Sequence, residues 1–188
     1  MTSSPSVYRI VGIDPGTDTL GIAVLDVDVQ SRSVEIVRLY TLHASRNVDP
    51  LSAASVFRGS RYAQIQYLEK AMSSLFVNLM PSAIVHESPF MGRFPEAYRA
   101  LAECIGAIRR ACDQYNPTLL IESVDPPTAK LAVGAKVGRD STKDTVKQAV
   151  LAMQLPCSNV VDLSLASEHA IDAIAVAYWK AKKLIAGL

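Results

Sequence analysis

Two short apolar runs separated by an acidic turn constrain the fold of this chain more than any other feature. Residues 9–13 and 20–25 are rich in aliphatic side chains, and Asp14-Pro15-Gly16 lies between them. Because a Pro-Gly pair reverses the chain, the segment predicts a β-hairpin with Asp14 at the end of its first strand. Asp before Pro-Gly is also common for conformational reasons alone. Taken by itself, the segment leaves two roles for Asp14 open, a turn former and a catalytic carboxylate.

Length and composition predict one globular domain over residues 1–188. A chain of 188 residues that is 49% hydrophobic and 20% charged can bury a full core. Cys104, Cys112 and Cys157 have no Cys-x-x-Cys spacing and lie in apolar stretches, so we expect buried or half-buried thiols in a reducing compartment. The first residues are polar, and no apolar stretch approaches the length of a membrane span. We therefore expect a cytoplasmic protein with no membrane partner.

The order of predicted elements is βββ-α-β-α-β-α-α, which implies an α/β fold with one mixed sheet and helices on its faces. The predicted strands are residues 9–13, 20–25, 33–41, 83–87 and 119–124, with a loop over residues 43–59. The predicted helices run from residue 61 to Pro81 and over residues 97–115, 142–154 and 167–186. Gly106 lies inside the second helix, where glycine is less favourable for helix stability than alanine. Its presence there predicts a close approach by another element.

Acidic side chains recur at the ends of predicted elements. Glu87 follows a second apolar strand, and the last helix, which Ser167 can cap, begins with His169 and Asp172 three residues apart. That spacing places both side chains on one helical face. Because clustered carboxylates repel one another unless a cation lies between them, the pattern predicts a divalent metal site. Oxygen-rich ligands favour Mg²⁺ or Mn²⁺. Taken alone, a histidine such as His169 is more often a capping or surface residue than a metal ligand.

Basic side chains concentrate between residues 130 and 147, although the net charge of the chain is only +1. Two interpretations stay open for this stretch, a loop that binds phosphates and a solvated surface loop. The basic residues are Lys130, Lys136, Arg139, Lys143 and Lys147.

Several motifs resemble the RuvC family of Holliday-junction resolvases, which belongs to the ribonuclease H-like superfamily. Val11-Gly12-Ile13-Asp14-Pro15-Gly16 with Gly21-Ile22-Ala23-Val24 is similar to the opening of the family. Glu87-Ser88-Pro89-Phe90-Met91 resembles its second motif, and the run from His169 to Ala177 resembles its terminal motif. Lys130-Leu131-Ala132-Val133-Gly134 and Thr142-Lys143-Asp144 resemble the segment that supplies two basic residues near the scissile phosphate. The resemblance covers nearly the whole chain in the right order and implies a ribonuclease H-like fold, a five-stranded mixed sheet with helices on both faces.

The resemblance also implies an activity and a set of site residues. It implies a structure-selective endonuclease that resolves four-way DNA junctions by paired symmetric nicks, through two-metal hydrolysis that leaves 5′-phosphates. The implied ligands of two Mg²⁺ or Mn²⁺ ions are Asp14, Glu87, His169 and Asp172. Glu168 is an alternative to His169, because some members have Asp at that position. Lys130 and Lys143 would act catalytically by offsetting phosphate charge.

The implied DNA-binding residues are Phe90, Lys130, Lys136, Arg139, Lys143 and Lys147. Phe90 would stack on unpaired bases, although it also fits a core residue. Lys136 and Lys147 are alternatives to Lys143 as the second catalytic cation.

Paired nicks across a two-fold symmetric junction imply a homodimer. The helix over residues 97–115 is the candidate interface, where Ala102, Gly106 and Ala107 would allow close helix approach.

Three other functions fit parts of the pattern. One is a nuclease of the same fold with broader specificity for flaps, forks and three-way branches. Another is a nucleotide-binding module of the actin and sugar-kinase type, which would need a second phosphate loop and a longer chain. The third is a ribonuclease H-like scaffold that binds DNA without cutting it, and the presence of all four acid or imidazole positions argues against it.

Overall fold

A five-stranded sheet with strand order β3-β2-β1-β4-β5 organises the chain. The computed structural model describes residues 7–89, 94–138 and 143–187. The strands are β1 (Val7–Asp14), β2 (Thr19–Asp28), β3 (Ser33–His43), β4 (Ala83–Glu87) and β5 (Ile121–Val124). The helices are α1 (Ala44–Asn47), α2 (Ala53–Arg58), α3 (Ser60–Leu79), α4 (Pro95–Tyr115), α5 (Pro126–Ala132), α6 (Lys143–Ala152) and α7 (Glu168–Ala186).

The direction of the strands brings the predicted acids to one edge of the sheet. β1 pairs antiparallel with β2 and parallel with β4, in a register that places Ile13 opposite His86. Asp14 and Glu87 each follow those paired residues and end their strands. The carboxyl ends of two neighbouring parallel strands therefore present two carboxylates side by side.

Helices cover both faces of the sheet, as predicted. One buried cluster joins the sheet to α5, α6 and α7, and the other joins it to α3 and α4. Because both faces of the sheet are buried, β1 and β2 are continuous apolar runs in the sequence rather than alternations of apolar and polar residues. Within the described ranges, no helix combines the length and the apolar character that crossing a membrane requires.

The prediction of a loop over residues 43–59 was wrong, and the short helix α5 was not predicted at all. Residues 43–59 contain α1 and α2 rather than an uninterrupted loop. Asp125-Pro126-Pro127, which directly follows β5, begins α5, because the Asp125 side chain accepts a hydrogen bond from the Thr128 N–H at 3.0 Å. Helices of four to seven residues are too short to show a helical period in the sequence.

The expected close approach at Gly106 is not seen among the residues that the structure describes. A Cβ atom there would meet only the Arg110 Nη1 atom, at 3.4 Å. Ala107 is buried in the core of its own chain, so it cannot line an outer helix interface as predicted. Ala102 and Gly106 instead line an open groove between α3 and α4.

The cysteines follow the prediction in part. Cys104 and Cys112 are buried, whereas Cys157 is exposed. Cys157 forms an isolated β-bridge with Ile36 of β3. It lies outside the cluster between the sheet, α3 and α4 that buries the other two thiols.

Candidate active site

Asp14 lies at the centre of a group of ionisable side chains at the carboxyl edge of the sheet. Its side chain is only 14% exposed, and its Oδ2 atom is 2.7 Å from Nδ1 of His169. The preceding residues, Ile10 to Ile13, are buried in the middle of the sheet. Asp14 is thus held on rigid backbone.

Two glycines, one in β1 and one in β2, allow α7 to lie directly on the sheet beside Asp14. Gly21 of β2 is the cross-strand partner of Asp14, and a Cβ atom on it would be 2.0 Å from the His169 carbonyl oxygen. A Cβ atom on Gly12 would be 2.4 Å from the Ala173 carbonyl oxygen. The first turns of α7 therefore contact the sheet backbone, which places His169 beside Asp14.

Glu87 is a carboxyl group that is costly to ionise in this environment. Its pKa is raised to about 7, first by burial and then by the negative charges of Asp14 and Asp172, while the charge of Lys130 acts in the opposite direction. These causes show that the carboxyls of Glu87, Asp14 and Asp172 act on one another electrostatically.

Asp172 and His169 are one turn apart at the start of α7. Burial raises the pKa of Asp172 to about 6, and the charge of Asp14 contributes to that rise. The pKa of His169 is also raised, first by its hydrogen bond to Asp14. The exposed Glu168 carboxylate raises the pKa values of both neighbours through its charge, so it too acts on the site.

Among the predicted basic residues that the structure describes, Lys130 acts on these acids. It lies in the last turn of α5, and its charge lowers the pKa of both Glu87 and Asp172. Lys136 is exposed, and the Lys147 ammonium donates to the Ser164 carbonyl at 3.2 Å. Phe90, Arg139 and the Lys143 side chain lie outside the described residues.

The donor set fits a hard divalent cation, although its side chains are not arranged around one point. Among the described residues, no three His, Cys, Asp or Glu side chains are grouped closely enough to hold an ion as they stand. The imidazole of His169 is instead within hydrogen-bond distance of one carboxylate oxygen of Asp14. Carboxylate oxygens are the ligands that Mg²⁺ and Mn²⁺ prefer, and a cation would relieve the repulsion that raises the pKa values of Glu87 and Asp172.

Sequence reasoning missed two residues that shape this site. Gly21 was used only as part of a motif, although a glycine inside a strand is a known sign of close backbone approach. Asp125 caps the helix that carries Lys130, and Asp followed by Pro is a helix-start signal.

The fold and this group of side chains define a ribonuclease H-like protein with a carboxylate-rich site at the carboxyl edge of its sheet. No family model matches the chain. In sequence, it is 26% identical over 135 residues to the crossover junction endodeoxyribonuclease RuvC of Xanthomonas campestris pv. campestris strain B100, covering 72% of this chain and 70% of that relative. The RuvC of Xanthomonas euvesicatoria pv. vesicatoria strain 85-10 is 25% identical over the same length.

Solved structures agree with this fold. The Thermus thermophilus RuvC structure matches with a TM-score of 0.69 and 19% identity, over 95% of this chain and 96% of that one. The yeast mitochondrial Holliday junction resolvase matches with a TM-score of 0.67 and 12% identity, over 97% and 82% of the two chains. Together, the comparisons show sequence similarity to RuvC endonucleases over most of this chain and a fold shared with solved Holliday junction resolvases.

Proposed function

We propose that this chain is a metal-dependent endonuclease that resolves four-way DNA junctions by paired symmetric nicks. The observation that carries the proposal is the meeting of Asp14, Glu87, His169 and Asp172 at one sheet edge, with Lys130 acting on the same carboxyls. The relatives with the same fold include a T. thermophilus RuvC that was solved in complex with a Holliday junction substrate. A cytoplasmic location in a bacterium, or in the host of a phage, belongs to the same proposal.

The proposed reaction is hydrolysis of one phosphodiester bond in each of two opposed strands. An oxygen of water attacks phosphorus, the bond from phosphorus to the 3′ oxygen breaks, and that oxygen takes a proton. The products are a 5′-phosphate and a 3′-hydroxyl.

Asp14, Glu87, His169 and Asp172 would hold the catalytic cations, Mg²⁺ or Mn²⁺, with two ions in each site. When bound, such ions supply Lewis-acid stabilisation of the phosphate and activation of water at neutral pH. Before any ion binds, Glu87 retains a proton at higher pH than an ordinary glutamate, because it is buried beside two other acids. Cation binding is therefore coupled to release of that proton.

Lys130 would offset the negative charge that grows on the phosphate oxygens during attack. Its position in the last turn of α5, where it acts on both Glu87 and Asp172, supports this role. Lys143 is proposed as the second cation, with Lys136 as an alternative. Lys147 is a weaker alternative, because its ammonium is engaged by the Ser164 carbonyl.

DNA binding and dimerisation complete the proposal. Phe90 would stack on unpaired bases at the branch point, and the basic side chains from residue 130 to residue 147 would contact phosphates. A homodimer would place two active sites on the two-fold symmetric junction. Its proposed interface is the exposed face of α4 that carries Ala102 and Gly106.

The decisive test is cleavage of a mobile four-way junction with each strand end-labelled, in Mg²⁺. We expect symmetric nicks with 5′-phosphate ends, whereas flaps and three-way forks are cut slowly. Equal cutting of all branched substrates would instead mark a less selective nuclease, and no cutting by the wild type would contradict the proposal.

Amide variants test the assignment of the acids. Asp14→Asn, Glu87→Gln and Asp172→Asn should each lower the cleavage rate by at least about 100-fold, because each removes a charged ligand. Junction binding in a mobility-shift assay should change little. The matched control is Glu35→Gln, an exposed acid on β3, which should cleave like the wild type. Normal cleavage by any of the three variants would remove that residue from the site.

A further inference from the structure

A row of three residues crosses the sheet beneath the start of α7. Asp14 of β1 pairs with Gly21 of β2, and Gly21 pairs with Thr41 of β3. Directly opposed residues of antiparallel strands point to the same face of a sheet. The side chain of Thr41 therefore lies on the face that carries α7, two strands away from Asp14.

Each member of the row makes a separate contact with residues 167–170. Asp14 lies 2.7 Å from the His169 imidazole, and Gly21 leaves room for the His169 backbone. The Thr41 hydroxyl lies 2.6 Å from the Ser167 hydroxyl. The row thus contacts the beginning of α7 at three points.

Ser167 transmits the position of Thr41 to the helix. Its hydroxyl accepts a hydrogen bond from the Ala170 N–H at 3.1 Å, and its carbonyl accepts one from Ile171 at 3.0 Å. Ser167 is therefore the N-cap whose placement sets where the helix begins, two residues before His169.

We infer that Thr41 is a positioning residue for the active site, acting through Ser167 on His169. The His169 side chain is 45% exposed and has the Asp14 carboxylate as its partner, so packing alone does not hold its ring. Fixing the helix start at both Thr41 and Gly21 limits where the ring can go. Partners that orient a metal ligand are typically worth about 10- to 100-fold in metal affinity. This inference rests on the proposed function, because it takes His169 as a metal ligand.

The test compares two hydroxyl-free variants with a variant that keeps the hydroxyl. Thr41→Val preserves shape but removes the hydroxyl, whereas Thr41→Ser retains it. Ser167→Gly removes the partner hydroxyl while keeping a residue that is tolerated at an N-cap. The matched control is Ser158→Ala, whose hydroxyl also donates to β3, to the Val37 carbonyl at 2.8 Å, rather than to the N-cap of α7.

Two measurements need no DNA: the Mn²⁺ dissociation constant from the electron paramagnetic resonance of free Mn²⁺, and hydrogen exchange of the Ala170 amide. We expect Thr41→Val and Ser167→Gly each to weaken Mn²⁺ binding by about 10-fold and to speed Ala170 exchange. The double variant should be no worse than either single one, because both remove one contact. Thr41→Ser should restore wild-type values, and Ser158→Ala should match the wild type.

Wild-type Mn²⁺ affinity in both hydroxyl-free variants would overturn the inference, and so would an equal loss in Ser158→Ala. If Thr41→Val does not fold, Ser167→Gly decides by the same two measurements. Failure of the proposed function appears differently, as a wild type that does not cut junctions while the Mn²⁺ and exchange results stand.

Discussion

Glu87 combines burial with two acidic neighbours, and this makes its ionisation a cost to the folded state. Its pKa is raised from 4.5 to about 7 in the folded protein, and that of Asp172 from 3.8 to about 6. At pH values between the unfolded and the folded pKa of each group, the folded chain binds more protons than the unfolded chain. The free energy of unfolding therefore falls as pH rises through that range. The raised pKa of His169 acts in the same direction, because its stabilising charge is lost as pH rises through the folded value.

We therefore expect the metal-free protein to lose on the order of 2 kcal/mol of stability between pH 5 and pH 7.5. Chemical denaturation in EDTA across that range measures the loss. Glu87→Gln should flatten the profile, because it removes the group with the largest raised pKa, and saturating Mg²⁺ should reverse the trend. A profile in EDTA that is flat or rises with pH would contradict the electrostatic description of the site.

Lys130 is predicted to act on the reaction more than on binding. Because its charge faces the acids, Lys130→Ala should slow junction cleavage by about 10- to 1,000-fold while weakening junction binding only a few-fold. Single-turnover cleavage and mobility shifts separate the two effects. Lys70→Ala, which removes an exposed cation of α3 outside the proposed site, serves as the control. Equal losses in rate and affinity would make Lys130 a phosphate anchor instead.

At the scale of elements, the contact between α7 and the sheet depends on two glycines, Gly12 and Gly21, which have no side chain. Gly12→Ala and Gly21→Ala would each put a Cβ atom within 2.4 Å of helix backbone, and backbone cannot move aside as a flexible side chain can. We expect each to lower the free energy of unfolding by about 2–4 kcal/mol, a large effect for one added methyl group.

Gly106→Ala is the matched control for these two variants. Its Cβ would face an open groove and only the end of the Arg110 side chain, so it should be neutral or raise stability by up to about 1 kcal/mol. Urea denaturation of all three proteins measures the differences. Equal changes in the free energy of unfolding for Gly21→Ala and Gly106→Ala would mean that α7 does not pack closely against β2.

The elements that sequence could predict are those whose signal is local. The strands that end at Asp14 and Glu87, and the helix that carries His169 and Asp172, each show a run or a period within about ten residues. Thr41 could not be linked to Ser167, because that contact joins residues 126 apart in the chain. The same limit applies to Lys130, which reaches the acids only because β5 pairs beside β4.

At the scale of the whole molecule, the groove between α3 and α4 is where a second copy is expected. Gly106→Leu would fill its floor and should convert a dimer into a monomer in multi-angle light scattering. Arg109→Leu, an exposed position of α4 outside the groove, controls for a bulky apolar change on the same helix. A Gly106→Leu protein that stayed dimeric would move the interface away from this face.

The Asp14–His169 contact joins residues 155 apart in the chain, and this has a consequence for synthesis. While a ribosome makes the protein, β1 and its acid emerge early, but the imidazole that faces Asp14 emerges only with α7. A nascent chain that has not yet extended its last helix therefore has no complete candidate site, because His169 and Asp172 are both in that helix.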